Sequence, residues 1–137
     1  MRNEVVNEKL ARLEEIVETL KEFKKIPERE FVVQRKIYFG AVYALVIGIE
    51  IICDLGNHLL SSYFGRKAET YKDIILLLGE VEIIPKAFAQ KTKAMVDFRN
   101  LAIHVYARVD PKKVYQYLPL AINQFRRYGR YFLEFQK

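Results

Sequence analysis

Only two histidines, His58 and His104, stand in this chain of 137 residues, so a search for acid–base chemistry starts with them. His104 lies in the run Asp97-Phe98-Arg99-Asn100-Leu101-Ala102-Ile103-His104-Val105-Tyr106. An imidazole titrates near neutrality, so it can take a proton from a 2′-hydroxyl or give one to a leaving oxygen. A guanidinium is planar and permanently charged, so Arg99 can hold a phosphate and stabilise the charge it gains in the transition state. Together they would suit phosphoryl transfer on RNA. The same spacing also fits an arginine bonded to helix carbonyls beside a histidine near a helix C-terminus. Arg99 and His104 are ~140° apart on an ideal helix, which serves one phosphate only if the helix ends between them or a second subunit contributes. Arg99 and Tyr106, seven residues apart, share a helical face. One histidine also leaves the acid–base set incomplete, and a two-fold homodimer would bring a second copy into the same cleft.

The other polar constellation is Glu50, Asp54 and His58, spaced to line one helical face as metal ligands would. A single stripe without a second ligand-bearing helix makes a poor cage, so the expectation is no metal. The carboxylates instead need basic partners, because an unpaired buried charge is costly. At least one of Glu50 and Asp54 is expected within hydrogen-bonding reach of Arg99, holding it in place. There is no Gly-rich phosphate loop and no Ser-His-Asp grouping, and no cofactor is expected.

Charge is unevenly spread. Residues 1–98 hold 15 Lys/Arg and 15 Asp/Glu, so the net +6 arises in residues 99–137. Such one-sided basicity suits a polyanion, with phosphate the first candidate, or else a solvated basic helix face. Arg108, Lys112, Lys113, Arg126, Arg127 and Arg130 are the candidate RNA contacts. Tyr115, Tyr117, Tyr128 and Tyr131 are candidate stacking platforms, although Tyr128 lies on an apolar stripe and belongs to the core.

The frame that must position these groups is one domain spanning residues 1–137, 16.2 kDa and 51% apolar. Six glycines and four prolines exclude collagen-like and disordered chains. The single cysteine, Cys53, rules out an intrachain disulfide and a Cys-based zinc site, and fits a reducing cytoplasm. The N-terminal MRNEVVNEKLARLEE is not a secretory signal. The longest uncharged run, residues 37–49, is shorter than the ~18 residues a membrane span requires. A cytoplasmic protein with no membrane association is therefore expected.

Apolar spacing predicts helix almost throughout. Val6, Leu10, Leu13, Val17 and Leu20 form one stripe over about 4–24, which Ile26-Pro27 ends. A long helix, apolar on most sides, is predicted from Arg29 to Ser61, with Gly40, Ala44 and Gly48 on a face another helix can approach closely. Thr70 and Asp73 cap a short helix over 71–78 that Gly79 closes, and Pro85 starts a helix over about 85–104. Asp110-Pro111 opens the last, whose stripe is Val114, Leu118, Ala121, Phe125, Tyr128 and Phe132 and in which Pro119 should cause a kink. The expected architecture is an all-α, up-and-down bundle of four main helices plus a short one.

The run MVDFRNLAIHVYARVDPKKVYQYL resembles the RX4HXY signature of HEPN domains, in particular the HepT-like ribonuclease toxins. ALVIGIEIICDLGNHLL and ETYKDIILLLGEVEIIP resemble that family's central helix and next segment, and the likeness runs from about Phe31 to Phe135. The resemblance implies an all-α homodimer with metal-independent endoribonuclease activity. It also implies a minimal nucleotidyltransferase (MNT) antitoxin that adenylylates the motif tyrosine. Its motif residues would be Arg99, Asn100, His104 and Tyr106, with Val105 where many members carry an acidic residue. Two rivals stay open: a HEPN module without catalysis that binds nucleotide or partners a nucleotidyltransferase, and a helical scaffold that uses its basic helix for nucleic acid.

Overall fold

The computed structural model describes residues 4–104 and 109–136. Among them there are helices and no strands: α1 (Glu4–Lys25), α2 (Glu28–Phe31), α3 (Arg35–Phe64), α4 (Tyr71–Glu80), α5 (Lys86–Thr92), α6 (Ala94–Ile103) and α7 (Pro111–Gln136). The all-α bundle read from the sequence is the fold.

α3 is the axis of the molecule. It packs against α1, α4, α6 and α7, and Leu45, Ile49, Ile52, Leu55, Leu59 and Leu60 are fully buried along it. By length and composition it could cross a membrane, since its most apolar window reaches a mean hydropathy of 1.9 despite Glu50 and Asp54. The uncharged run therefore understates it. However, 61% of that window is buried inside the protein, as expected of a bundle's central helix.

Two small residues set how closely α3 is wrapped. A Cβ on Gly48 would stand 2.3 Å from Cε2 of Phe125 on α7 and 3.1 Å from Ile16 on α1. A Cβ on Gly56 would meet Leu78 of α4 at 2.8 Å. The apolar stripes of the partners do the rest: Val6, Leu13, Val17 and Leu20 on α1 are buried, as is every member of the α7 stripe from Val114 to Phe132. α7 continues as one helix through Pro119.

Start and stop signals act mostly as the sequence suggests. Thr70 accepts the Asp73 N–H at 3.1 Å, and Asp110 accepts the Lys112 N–H at 3.0 Å. Gly65, at φ 58°, ends α3 in a left-handed cap where a side chain would be strained.

Three boundaries differ, each for a packing reason. The helix expected from Arg29 is divided into α2 and α3, with extended Gln34 (φ −102°, ψ 102°) before α3. Phe31 is fully buried against the Tyr115 ring, 4.9 Å away, and the chain must turn after it to run α3 along the core. The helix expected over 85–104 is interrupted at Lys93. There the buried Thr92 hydroxyl bonds back to the Phe88 carbonyl and to the Tyr128 hydroxyl, a side-chain competition that bends helices. Gly79 does not close α4, which runs on to Glu80. Its role is close approach, since a Cβ there would lie 2.7 Å from that of Ala89 on α5.

Gly48→Ala should lower the unfolding free energy by about 1–3 kcal/mol, because the added methyl collides with a buried ring. Chemical denaturation measures it, and a loss below about 0.5 kcal/mol would show that α7 can slide away from α3.

Candidate functional site

Arg99 and Glu50 form the half-buried centre of the site. Met95 and Val96 seat α6 on the core, which turns Arg99 toward α3. Glu50 lies on the same α3 face as Asp54, so it points at the groove that α6 covers. The guanidinium donates from Nε and from Nη2 to the same Glu50 oxygen, at 3.4 and 3.3 Å. Its Nη1 donates to the side-chain oxygen of Asn100 at 3.0 Å, and its plane lies over the Tyr71 ring at 4.5 Å. The two charged side chains are 20% and 32% exposed, so the pair is shielded from salt better than a surface ion pair is.

A guanidinium carries five N–H donors. Three are engaged here, and one on each terminal nitrogen has no partner among the described residues. An immobilised, permanently charged plane with two spare donors suits an anionic oxygen pair such as phosphate presents.

α6 stops at Ile103, and His104 follows as its C-terminal cap with extended torsions (φ −76°, ψ 91°). Its backbone N–H bonds the Asn100 carbonyl at 3.2 Å, while the residue is exposed. His104 closes the helix with a near-helical φ and an N–H still bonded four residues back, so the ~140° between the two side chains stands, and of the two conditions for a shared phosphate only a second subunit is left. Tyr106 and Arg108, named from the sequence as modification site and RNA contact, lie outside the described residues.

Burial disqualifies two neighbours as proton carriers near neutrality. Burial first, then the Asp54 charge, pushes the Cys53 thiol up to about 12, with Arg99 pulling the other way. The Tyr71 phenol is likewise raised, chiefly by burial, with Arg99 partly offsetting it.

The other sequence candidates are dispersed. Asp54 reaches Lys9 of α1, 3.9 Å away, rather than Arg99, because it sits one turn beyond Glu50. Among the described residues no three His, Cys, Asp or Glu side chains converge on a metal position. Lys112, Lys113, Arg126 and Arg130 are exposed on α7. Arg127 instead stacks on Phe88 at 4.3 Å and bonds the Tyr131 hydroxyl at 3.0 Å. Arg126 faces Glu14 and Glu18 on the α1 side, so the basic residues of α7 do not form one strip. The Tyr115 hydroxyl donates to the Ile26 carbonyl at 2.6 Å, and Tyr128 is wholly buried, so neither is a stacking platform. Tyr71 was not singled out from the sequence. The signal was present in Thr70, whose capping role fixes Tyr71 at the first position of α4.

The model of the family described as "Ribonuclease HepT-like" matches residues 9–131. The chain belongs to that HepT-like family. The tRNA nuclease HepT of Aphanizomenon flos-aquae is 27% identical over 77 residues, 56% of this chain; the chain spans about half, 52%, of that relative's length. The "Putative RNase" of Archaeoglobus fulgidus is 35% identical over 106 residues, 77% of this chain and 75% of its own. Among solved structures, the tri-AMPylated Shewanella oneidensis HEPN toxin in complex with MNT antitoxin superposes with a TM-score of 0.86 at 18% identity. That match covers 95% of this HepT-like chain and 97% of the toxin, and it establishes the HEPN bundle.

Two measurements test the site. In NMR spectra the Arg99 Nε–H should be slow to exchange and ordered in the wild type, and Tyr71→Leu or Glu50→Gln should loosen it where Tyr71→Phe does not. An equally mobile Arg99 in all four proteins would show that the clamp is absent in solution. The second is pH dependence. Cys53 keeps its proton in the folded state up to about 12 and loses it from 9.0 upward when unfolded. Its contribution to stability is thus whole below pH 9 and falls as pH rises past it. Denaturation midpoints between pH 8 and 10 should show this decline, and Cys53→Ala should reduce it.

Proposed function

We propose that this HepT-like chain is a metal-independent endoribonuclease, the toxin of a HEPN/MNT toxin–antitoxin pair, working in the cytoplasm. The observation that carries the reading is the guanidinium of Arg99, held on one edge by Glu50, with two donors that have no partner among the described residues, on the helix that ends at His104. In this reaction His104 takes the proton of a 2′-hydroxyl and the 2′-oxygen attacks the adjacent phosphorus. The bond from phosphorus to the 5′-oxygen breaks as that oxygen receives a proton from a second imidazolium. The products are a 2′,3′-cyclic phosphate and a 5′-hydroxyl. Arg99 binds the non-bridging oxygens as their charge grows, and Glu50, Asn100 and Tyr71 keep it from following solvent. Asp54, one turn along α3 and paired to Lys9, adds negative potential on the same side.

The second imidazolium is that of His104 in the other copy of a homodimer. α5 starts at the end of α4, where Glu80 pairs with Arg66, and α6 reaches back to Glu50. α6 thus runs opposite to α3 and ends toward its N-terminal half. Phe39 and Tyr43 stand 61% and 69% exposed there, and Leu101 and Ile103 of α6 are 51% and 37% exposed. Large apolar groups left in water around the site are what a subunit interface would cover. RNA would be guided by Arg108, Lys112, Lys113, Arg126 and Arg130, with Arg127 contributing only charge.

Silencing is assigned to Tyr106. Transfer of an adenylate from ATP by the MNT partner would place a phosphodiester within the charge field of Arg99 and occupy the donors a substrate needs. Both the HEPN–MNT complex and the AMPylated toxin are known for the Shewanella relative.

RNA cleavage should persist in excess EDTA and fall about 10²–10⁴-fold in His104→Ala with the melting temperature unchanged. Heterodimers of a wild-type and a His104→Ala subunit should lose cleavage much as the double variant does, because each cleft needs both imidazoles. A monomer in sedimentation that still cleaves RNA would remove the composite site. Full cleavage by His104→Ala would favour the non-catalytic HEPN reading, with any nuclease a contaminant. With the partner enzyme and ATP, an adenylate mass should map to Tyr106.

A further inference from the structure

Between α6 and α7 lies a cavity of about 130 Å³ that the chemistry above does not use. Met95, Phe98 and Leu120 form its apolar walls, Lys91 stands at its mouth, and Tyr117 and Gln124 supply polar groups. The Tyr117 hydroxyl is shut off from solvent and has no hydrogen-bond partner among the described residues. Burial pushes its pKa up to about 12, so it remains a donor. Gln124, only 4% exposed, lines the same space. An unanswered hydroxyl beside a buried amide is costly, and Phe and Leu would fill the same helix positions without that cost. Their retention points to a ligand that answers them.

Size and chemistry narrow that ligand. A space of about 130 Å³ matches a single six-membered ring, so a pyrimidine is the base that fills it. The amide of Gln124 offers a donor and an acceptor side by side, which complements the adjacent C=O and N–H of a uracil edge. Phe98 brings an aromatic edge 5.2 Å from the Tyr117 ring, and the exposed Lys91 is free to meet a phosphate.

We infer that this cavity is a binding subsite for a pyrimidine nucleotide, its base held by Gln124 and Tyr117 and its phosphate met by Lys91. The choice of a nucleotide rests on the ribonuclease reading, whereas the need for a polar ring-sized ligand rests on the cavity. The nucleotide is either a free monophosphate or one residue of an RNA strand whose backbone passes Arg99, the neighbour of Phe98.

Calorimetry on the full chain with UMP, AMP, hexauridylate and hexaadenylate tests this, beside melting curves without ligand. UMP or hexauridylate should bind, and the adenine probes should bind at least tenfold more weakly. Tyr117→Phe should weaken uridine binding about tenfold while leaving the unliganded melting temperature unchanged or about 2–5 °C higher, since it removes an unpaired hydroxyl. Gln124→Leu should behave alike. Equal response to UMP and hexauridylate identifies a free nucleotide; response to the hexamer alone identifies an RNA residue. The proposal is overturned if neither uridine probe binds, or if both variants bind them as the wild type does. It is also overturned if Tyr117→Phe lowers the unliganded melting temperature, or if it changes the sedimenting mass, which would mean that a partner's side chain fills the cavity. His104→Ala keeps uridine binding, so loss of cleavage and loss of the subsite are read separately.

Discussion

The structure turns on the half-buried carboxylate of Glu50, set in the apolar middle of the central helix. Partly withdrawn from water where α6 covers α3, it is stabilised by a permanent positive charge beside it. Arg99 supplies it, and the pairing ties α6 to α3 at one register. A lysine would neutralise the charge but would not present a plane to Tyr71. Structural need and chemical use therefore coincide in one side chain. The ion pair is an investment in orientation more than in stability, because both partners lose part of their hydration to make it.

That coincidence explains what could be read from the chain alone. The stripes of α1 and α7 are periodic because each helix meets α3 along a single line, and those helices appear where the spacing puts them. Caps at Thr70 and Asp110 are local chemistry and are equally legible. Positions set by contacts distant in sequence were not. The turn between α2 and α3 exists because Phe31 must meet Tyr115, and the break at Lys93 because Thr92 meets Tyr128. Gly79 looked like a helix stop and serves instead as a contact surface for Ala89.

The site divides in the same way. A carboxylate opposite Arg99 followed from the cost of an unpaired charge, and periodicity alone could not choose Glu50 over Asp54, which is a turn further along the same face. The choice falls out of where Tyr71 and α1 sit: Tyr71 covers Arg99 beside Glu50, and Lys9 of α1 is there to take Asp54. The basic excess of the last 39 residues was legible as charge but not as a surface. Adjacent arginines on a helix point about 100° apart, so Arg126 and Arg127 fall on opposite flanks of α7. Arg127 spends its plane on Phe88.

The early end of α6 completes the design. That end frees the histidine's backbone to take extended torsions, while the bond to the Asn100 carbonyl still anchors it. Asn100 then serves both neighbours, its side chain steadying the guanidinium and its carbonyl steadying the turn. An alanine there would remove the bond to the guanidinium and keep the one to His104, because the second acceptor is the backbone carbonyl. Between arginine and histidine the motif thus places one residue whose side chain holds the first and whose backbone holds the second.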